Sequence, residues 1–366
     1  MHKKRKKCLI IAYINGNLGD DLFIKILCER YKDVLFFVVG LKKYKKIFKE
    51  ISNLIYISSD TIRVKYSNKI NNVIRIIMKK EKTTVIEFLQ NNIKKRTKFI
   101  VMIGGSMFMQ PDDWRKKISF QRQLFDKNTY ILGCNFGPFH DEEYRKAYES
   151  LFKKVSDVCM RDRHSKQLFE NLDNVRMAPD IVLNLDSSHN NTDGKYYLIS
   201  IIDPKKEKQI EGNRENYIEG ISKIIEYYLN KKEKVVLMSF CEAEGDEKIA
   251  KEIMERIDAS SQVKLYNYNN MDKALEVIKN SKGVIATRFH AVILALLFGK
   301  WVLPIVYNEK TMNILNDFSF DGVFLDINKM SEYSYEKILN NANLSSCRIK
   351  REKAEEHFLK LDQVFK

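Results

Sequence analysis

The chain is 366 residues long, about twice the size of a typical single domain, which favours two domains of similar size. Apolar residues make up 44% of the chain and aromatic residues 11%, which suits large buried cores and excludes a disordered or fibrous protein. The net charge of +16 attracts phosphate groups in general, on nucleic acids, anionic lipids or small molecules, so charge alone does not select a partner.

The first residues are basic, and the apolar stretch that follows, residues 8–14, is too short for a signal peptide. We interpret it as the first strand. The six cysteines are scattered without a C-x-x-C pair, so neither a zinc site nor a disulfide framework is expected. That cysteine pattern fits a reducing compartment such as the cytoplasm. Since no segment approaches 18 uncharged apolar residues, the sequence also predicts a soluble protein.

Apolar runs alternate with helical patterns along the first half of the chain. Apolar periodicity predicts helices at residues 20–32 and 142–155. Buried strands are predicted at residues 8–13, 34–39, 54–57, 99–103, 130–132 and 158–160. This alternation is typical of a parallel sheet covered by helices.

A polar stretch, residues 186–194, predicts a linker, after which the alternation starts again. Helices are predicted at residues 216–229 and 246–257, and a charged helix at 346–365. Strands are predicted at residues 197–202, 235–240, 263–266, 283–286 and 302–306. We therefore expect an α/β protein with the following organisation: an N-terminal Rossmann-like domain at residues 1–190, a C-terminal one at 191–345, and a final helix at 346–366 whose packing on the first domain is left open.

The first strand runs into a glycine-containing turn with Asn17 and Asp20 before a helix. Free backbone N–H groups at such a position bind anions. A tight turn between Gly16 and Gly19, with Asp20 as the helix N-cap, would require the same residues, so both interpretations stand.

Small residues also follow the next two buried strands of this half. Gly104, Gly105 and Ser106 follow one strand, and Asn135 and Gly137 follow the other. Ligands of open α/β sheets bind at the carboxyl ends of the strands, so these residues are candidates for substrate contact. Separate tight turns are the alternative explanation.

Arg161 comes directly after a strand, where its guanidinium would suit a carboxylate or phosphate. The alternative is a salt bridge from Arg161 to Asp162 or to another carboxylate at the sheet edge. Asp180 is ambiguous, since it would serve equally as a cap or as the partner of an arginine.

Arg288 and His290 open an apolar helix in the second half of the chain. The helix dipole there favours a bound phosphate or carboxylate beside Arg288. Alternatively, Arg288 pairs with a carboxylate and His290 is a satisfied core histidine. Lys310 follows a later strand and would add positive charge. Glu242, after another strand, would bind sugar hydroxyls or act as a base, although a helix cap at Asp246 explains that segment equally well.

In their order and spacing, these motifs resemble those of the polysaccharide pyruvyl transferase family over roughly residues 8–312. The resemblance implies a GT-B-like fold, with two Rossmann-like domains facing a cleft, and a reaction that builds pyruvate ketals on surface or exported glycans from phosphoenolpyruvate. Ser106 and Asn135 stand where the family often has glycine.

The resemblance further implies roles for individual residues. Arg288 and Arg161 would hold the carboxylate and phosphate of phosphoenolpyruvate, with Lys310 as a helper. We hypothesise that His290 protonates the methylene carbon of the donor. The remaining site residues comprise two candidate bases and six substrate-contacting positions: Asp20 and Glu242 for the bases, and Asn17, Gly104, Gly105, Ser106, Asn135 and Gly137 for the contacts. Neither a metal nor an organic cofactor is demanded.

Two alternatives remain at this stage. One is a GT-B glycosyltransferase that uses a nucleotide sugar, because a diphosphate also suits helix N-termini. The other is a basic protein that binds nucleic acid or an anionic membrane, although the sequence lacks a helix-turn-helix, RRM or zinc-finger signature, so no nucleic acid partner is expected. The acceptor would be a sugar or lipid-linked oligosaccharide. Peripheral contact of the basic amino terminus with the inner face of the membrane is left open, as is the oligomeric state.

Overall fold

The computed structural model describes residues 5–187, 194–257, 262–341 and 351–366, so residues 188–193 of the predicted linker and residues 346–350 of the predicted last helix lie outside the described residues. Contacts between residues divide the chain into two units. The first unit comprises Met1–Asn15, Asp20–Asn184 and Arg351–Lys366. The second comprises Gly16–Gly19 and Leu185–Lys350.

Each unit is built on a parallel sheet. In the first unit the strand order is β3-β2-β1-β4-β5-β6-β7, with β1 Lys7–Ile11, β2 Leu35–Gly40, β3 Leu54–Ser58, β4 Phe99–Ile103, β5 Thr129–Cys134, β6 Asp157–Met160 and β7 Val175–Met177. In the second unit it is β10-β9-β8-β11-β12-β13, with β8 Tyr196–Ser200, β9 Val235–Ser239, β10 Val263–Asn267, β11 Ser281–Ala286, β12 Trp301–Val306 and β13 Leu325–Asp326. This architecture confirms the predicted fold class.

The connections between strands contain most of the helices. In the first unit these are α1 Leu18–Arg30, apart from its first two residues, which belong to the second unit, and α2 Ile62–Ile77, α3 Val85–Lys94, α4 Trp114–Leu124, α5 Glu142–Phe152 and α6 Arg163–Gln167. In the second unit they are α7 Arg214–Asn230, α8 Asp246–Arg256, α9 Met271–Lys279, α10 Phe289–Leu297, α11 Glu309–Asp317 and α12 Tyr335–Asn340. A last helix, α13 Leu359–Phe365, belongs to the first unit. Within the described ranges, no helix is both long and apolar enough to cross a bilayer.

The cores follow from the apolar patterns. All five residues of β4 are buried, as expected for a central strand of a parallel sheet with helices on both faces. Helix α5 buries Tyr144, Tyr148, Leu151 and Phe152, which recur at helical spacing. The sheet and the helices therefore share one core in the first unit.

The end of the chain differs from the predicted single helix. Residues Arg351–Phe358 form a 3-10 helix, and only the seven residues of α13 after it are α-helical. Ala354 and His357 are both fully buried, and side chains three residues apart lie above one another in a 3-10 helix, which suits this spacing. In α13, Asp362 accepts hydrogen bonds from Arg30 Nη2 at 2.8 Å and from the Tyr31 hydroxyl at 2.7 Å.

Candidate active site

Arg288 lies between β11 and α10 in the second unit, at the N-cap position of a helix whose nine residues are all buried. The backbone N–H groups of Thr287 and Arg288 donate to Ser200 Oγ, at the end of the neighbouring strand β8, at 3.1 and 3.2 Å. Because both elements around it are buried, the position of the Arg288 backbone is fixed by the core.

The Arg288 side chain is held by two carboxylates. Its Nε donates to Asp246 Oδ2 at 3.1 Å, its Nη2 donates to Asp246 Oδ1, and its Nη1 donates to Glu244. Burial works to lower the pKa of Arg288, but Asp246 and Glu244 outweigh it and keep that pKa well above its usual value. Arg288 is therefore charged, and its charge is already compensated.

The two carboxylates differ in how firmly they are held. Asp246 is fully buried and also accepts hydrogen bonds from the backbone N–H groups of Phe240 and Cys241, at 2.9 and 3.0 Å. The Glu244 side chain is 28% exposed and lies on a short 3-10 turn that ends at Gly245, a residue with φ of 87°. Asp246 is thus a fixed part of the core, whereas Glu244 lies at its margin.

His290, the second residue of α10, is buried against the glycine turn that begins α1. A Cβ atom on Gly19 would lie 1.8 Å from Nδ1 of His290, so the imidazole occupies the space that any side chain at position 19 would need. The turn is tied to the same unit, because Leu18 N–H donates to the Phe240 carbonyl at 3.2 Å. Within the turn, Gly19 N–H donates to Asn17 Oδ1 at 3.1 Å, and Asn17 forms an isolated β-bridge with Cys241.

Further charged groups surround Arg288 in the second unit. The Lys310 ammonium lies 5.2 Å from the centre of the Phe289 ring, within cation–π range. Burial raises the pKa of Glu207, and the charge of Lys310 opposes this shift. Burial also raises the pKa of Tyr307, with Arg288 opposing it. Glu242 is exposed at the start of the 3-10 turn that also carries Glu244.

In the first unit, Arg161 forms a buried ion pair at the end of β6. Its Nη1 donates to Asp180 Oδ2 at 3.0 Å and its Nη2 donates to Asn135 Oδ1 at 2.6 Å. Only 2% of the Arg161 side chain is exposed and none of the Asp180 side chain. Arg161 therefore forms the salt bridge that was the alternative interpretation, with Asp180 as its partner. Asp162 instead caps α6, where it accepts a hydrogen bond from Ser165 N–H at 2.8 Å.

The turn after β4 packs on that ion pair. A Cβ on Gly105 would lie 2.6 Å from Arg161 Nη1, so only glycine lets the guanidinium lie over this backbone. Gly105 N–H donates to Asp20 Oδ1 at 3.2 Å. Helix α1 begins at Leu18, so Asp20 lies in its first turn, and the predicted N-cap role of Asp20 is wrong. Gly104, before Gly105, has φ of 149°.

The neighbouring residues complete this edge of the first sheet. Asn135 N–H donates to the Gly105 carbonyl at 2.9 Å, and Asn135 Nδ2 donates to the Gly137 carbonyl at 3.3 Å. Gly137 precedes a cis proline, and Ser106 is exposed. The ends of β4, β5 and β6 therefore meet in one hydrogen-bonded cluster within the first unit.

The predicted residues thus fall into two groups. The second unit contains Asn17, Glu242, Arg288, His290 and Lys310, and the first unit contains the others. Glu207 and the contact between Gly19 and His290 were not predicted from the sequence. Asp246 was predicted only as a helix cap, whereas Gly245 occupies the N-cap position of α8 and Asp246 binds Arg288.

Comparisons with known proteins give a family and a fold. A family model described as polysaccharide pyruvyl transferase matches residues 17–309. Among curated proteins, the amylovoran biosynthesis protein AmsJ of Erwinia amylovora is 19% identical over 281 residues, which cover 68% of this chain and 67% of AmsJ.

Two solved structures illustrate the fold. UDP-GlcNAc 2-epimerase of Methanocaldococcus jannaschii, in complex with UDP-GlcNAc and UDP, has a TM-score of 0.63 at 12% identity, over 98% of this chain and 99% of that chain. Sucrose-phosphate synthase of Thermosynechococcus elongatus has a TM-score of 0.56 at 10% identity, over 99% of this chain and 98% of that chain. Both are GT-B fold enzymes, and at these identities the similarity shows the fold alone.

Proposed function

The chain belongs to the polysaccharide pyruvyl transferase family, and from this premise we propose that it transfers a pyruvyl group from phosphoenolpyruvate to two hydroxyls of a sugar, forming a ketal. The name of AmsJ, an amylovoran biosynthesis protein, supports a surface or exported glycan as the acceptor. The same proposal places the reaction in the cytoplasm, where phosphoenolpyruvate is produced.

The observation that carries this proposal is the arrangement of Arg288 and His290 at the start of α10. A histidine packed against a glycine has a fixed ring position, which general acid catalysis requires. The helix N-terminus and Lys310 supply positive potential for an anionic donor.

In the proposed mechanism, His290 donates a proton to the methylene carbon of phosphoenolpyruvate, which becomes a methyl group. This leaves an oxocarbenium-like centre at C2, which a sugar hydroxyl attacks as it loses its proton to a base. The bond between C2 and the bridging phosphate oxygen then breaks, and phosphate departs with the proton that the base had taken up. A second hydroxyl of the same sugar attacks C2, gives its proton to His290, which restores the acid, and closes the ketal. Glu242 and Asp20 remain the proposed bases, although Asp20 already accepts the Gly105 N–H.

Arg288 binds the donor, in this proposal, by exchanging one carboxylate for another. Asp246 stays in place, because two backbone N–H groups hold it in the core. The carboxylate of phosphoenolpyruvate replaces Glu244 on Arg288 Nη1, since Glu244 is the more exposed of the two partners. Arg161 remains a proposed donor-binding residue of the first unit.

Thermal stabilisation by ligands tests the donor. Phosphoenolpyruvate, a nucleotide sugar and inorganic phosphate are compared on the wild-type protein and on Arg288→Gln/Asp246→Asn, which removes both charges of the buried pair together. The matched control is Arg214→Gln/Glu252→Gln, because Arg214 also pairs with a carboxylate of the second unit, at 2.8 Å. We expect a shift specific to phosphoenolpyruvate that is lost only in the first variant. A larger shift with the nucleotide sugar would contradict the proposal and favour the glycosyltransferase alternative.

A further inference from the structure

Helix α2 carries apolar side chains on its solvent-exposed face. The exposed fraction is 87% for Ile62, 66% for Tyr66, 57% for Val73 and 76% for Ile77. These positions, with Ile70 between them, recur every three or four residues, so they form one stripe along the helix. Single exposed apolar residues are ordinary, but a continuous stripe of this kind marks an interaction surface.

The opposite face of α2 is polar and contacts Thr83, which lies just before helix α3. Asn68 is buried, and its Nδ2 donates to the carbonyl of Thr83 at 3.3 Å. Thr83 N–H donates to Asn72 Oδ1 at 2.8 Å, and Asn71 Nδ2 donates to Thr83 Oγ1 at 3.1 Å. These hydrogen bonds hold the polar face of α2 against the segment that leads into α3, so the apolar stripe lies on the side away from that segment.

Basic residues border the stripe. Helix α2 contains no aspartate or glutamate, and Arg63, Lys65 and Lys69 are exposed beside the apolar residues. The segment after the helix, residues 78–82, adds three lysines against one glutamate. An apolar stripe with basic margins matches the chemistry of an anionic lipid surface, where the apolar residues enter the acyl boundary and the basic ones meet the headgroups.

We propose that α2 docks the first unit on an anionic membrane surface, with its apolar stripe in the lipid interface. A second copy of this chain fits the same face less well, because two basic margins would repel each other. A nucleic acid would satisfy the lysines but leave the apolar stripe in water. The proposal goes beyond the proposed reaction and does not depend on it.

Vesicle sedimentation tests the apolar part of the surface. The full chain is mixed with phosphatidylcholine vesicles and with vesicles that also contain phosphatidylglycerol. Ile62→Gln/Ile77→Gln should weaken partitioning to the anionic vesicles by about tenfold or more, because it removes the two most exposed side chains of the stripe. Val323→Gln/Phe324→Gln, which alters two exposed apolar side chains of the second unit, should leave it unchanged.

A second pair of variants tests the charge. Lys65→Gln/Lys69→Gln should abolish most of the preference for anionic over neutral vesicles, and added salt should have the same effect on the wild-type protein. The matched control is Lys264→Gln/Lys273→Gln, which removes two exposed lysines elsewhere. Equal binding of the wild-type protein to both kinds of vesicle would overturn the proposal.

The depth of insertion gives an independent measurement. A tryptophan at an exposed position of the stripe, Tyr66→Trp, should be quenched by brominated lipid, whereas Phe324→Trp should not. All of these side chains are exposed, so the thermal stability of each variant should match that of the wild type. If the wild-type protein stays off both vesicles and forms a dimer that Ile62→Gln/Ile77→Gln converts to monomers, the stripe binds a second copy and the membrane proposal is wrong.

Discussion

Substituting Gly19 with alanine should displace the proposed general acid without touching it chemically. The new Cβ would lie 1.8 Å from His290 Nδ1 and 2.2 Å from its Cγ, whereas ordinary contact begins near 3.4 Å, so the ring has to move by about 1.5 Å. A misplacement of this size costs about 10²-fold in rate when the group takes part in the reaction. Gly19→Ala should therefore reduce transfer by about that factor.

The effect on stability separates this contact from ordinary glycine effects. Gly19 is the second residue of α1, and alanine is favoured over glycine by up to about 1 kcal/mol inside a helix, so without the contact the variant would be at least as stable. The overpacking against His290 opposes this by about 1–3 kcal/mol. We expect a net loss of unfolding free energy together with the loss of activity.

The control is Gly212→Ala, because nothing lies within 4 Å of a Cβ at that position. Urea unfolding compares the stability of both variants. Their activity is compared by the release of phosphate from phosphoenolpyruvate, with a glycan extract of the source cells as the acceptor. If Gly19→Ala is as stable and as active as Gly212→Ala, then Gly19 does not position His290 and the reasoning fails.

Three other substitutions test the site and the end of the chain. Arg288→Ala leaves Asp246 buried without its partner and should lower the unfolding free energy by about 3–5 kcal/mol. In the same urea titration, Arg288→Gln/Asp246→Asn should lower it less, and equal losses would contradict the pairing. Glu244→Gln should raise the affinity for phosphoenolpyruvate several-fold by calorimetry, and a weaker affinity would contradict the exchange of carboxylates. Burial lowers the pKa of His357 to about 3. Below about pH 6.5 the unfolded chain therefore binds a proton that the folded chain does not. The free energy of unfolding should fall by up to about 1.4 kcal/mol per pH unit as the pH is lowered from 6.5 towards 3. His357→Gln, whose amide still reaches the Pro179 carbonyl, should flatten this dependence in denaturation measured at several pH values, and an unchanged slope would show that another group titrates.

The central strands could be predicted because burial on both faces leaves a continuous apolar run. Residues 99–103 were predicted as a strand and form β4 with the same ends. Strands β7 and β13 were missed, because they are edge strands of three and two residues, too short for a periodic signal. Helix α2 was also missed. Its regularly spaced apolar residues are exposed to solvent, whereas such spacing normally predicts the face that packs on the core, so the pattern would have predicted the wrong face as buried.

The positions of Arg161 and Arg288 after buried strands were predicted, but most of the partners of the candidate site residues could not be. Arg288 and Asp246 are 42 residues apart, and they meet because β9 and β11 both flank β8 in the second sheet. The order of strands in a sheet cannot be predicted from local sequence patterns.

Arg161 and Arg288 are both held by a buried aspartate, and this pairing limits how either could bind a ligand. Arg161 pairs with Asp180 and Arg288 with Asp246, and in both pairs the aspartate is fully buried. The charge of each arginine is therefore already compensated within the fold, and in the proposed reaction an anionic donor would replace an existing partner. Substituting either arginine should destabilise its unit as well as change any binding. A Cβ on Gly19 would clash with the imidazole of His290, so Gly19→Ala tests the proposed role of that ring without removing the charge of either arginine.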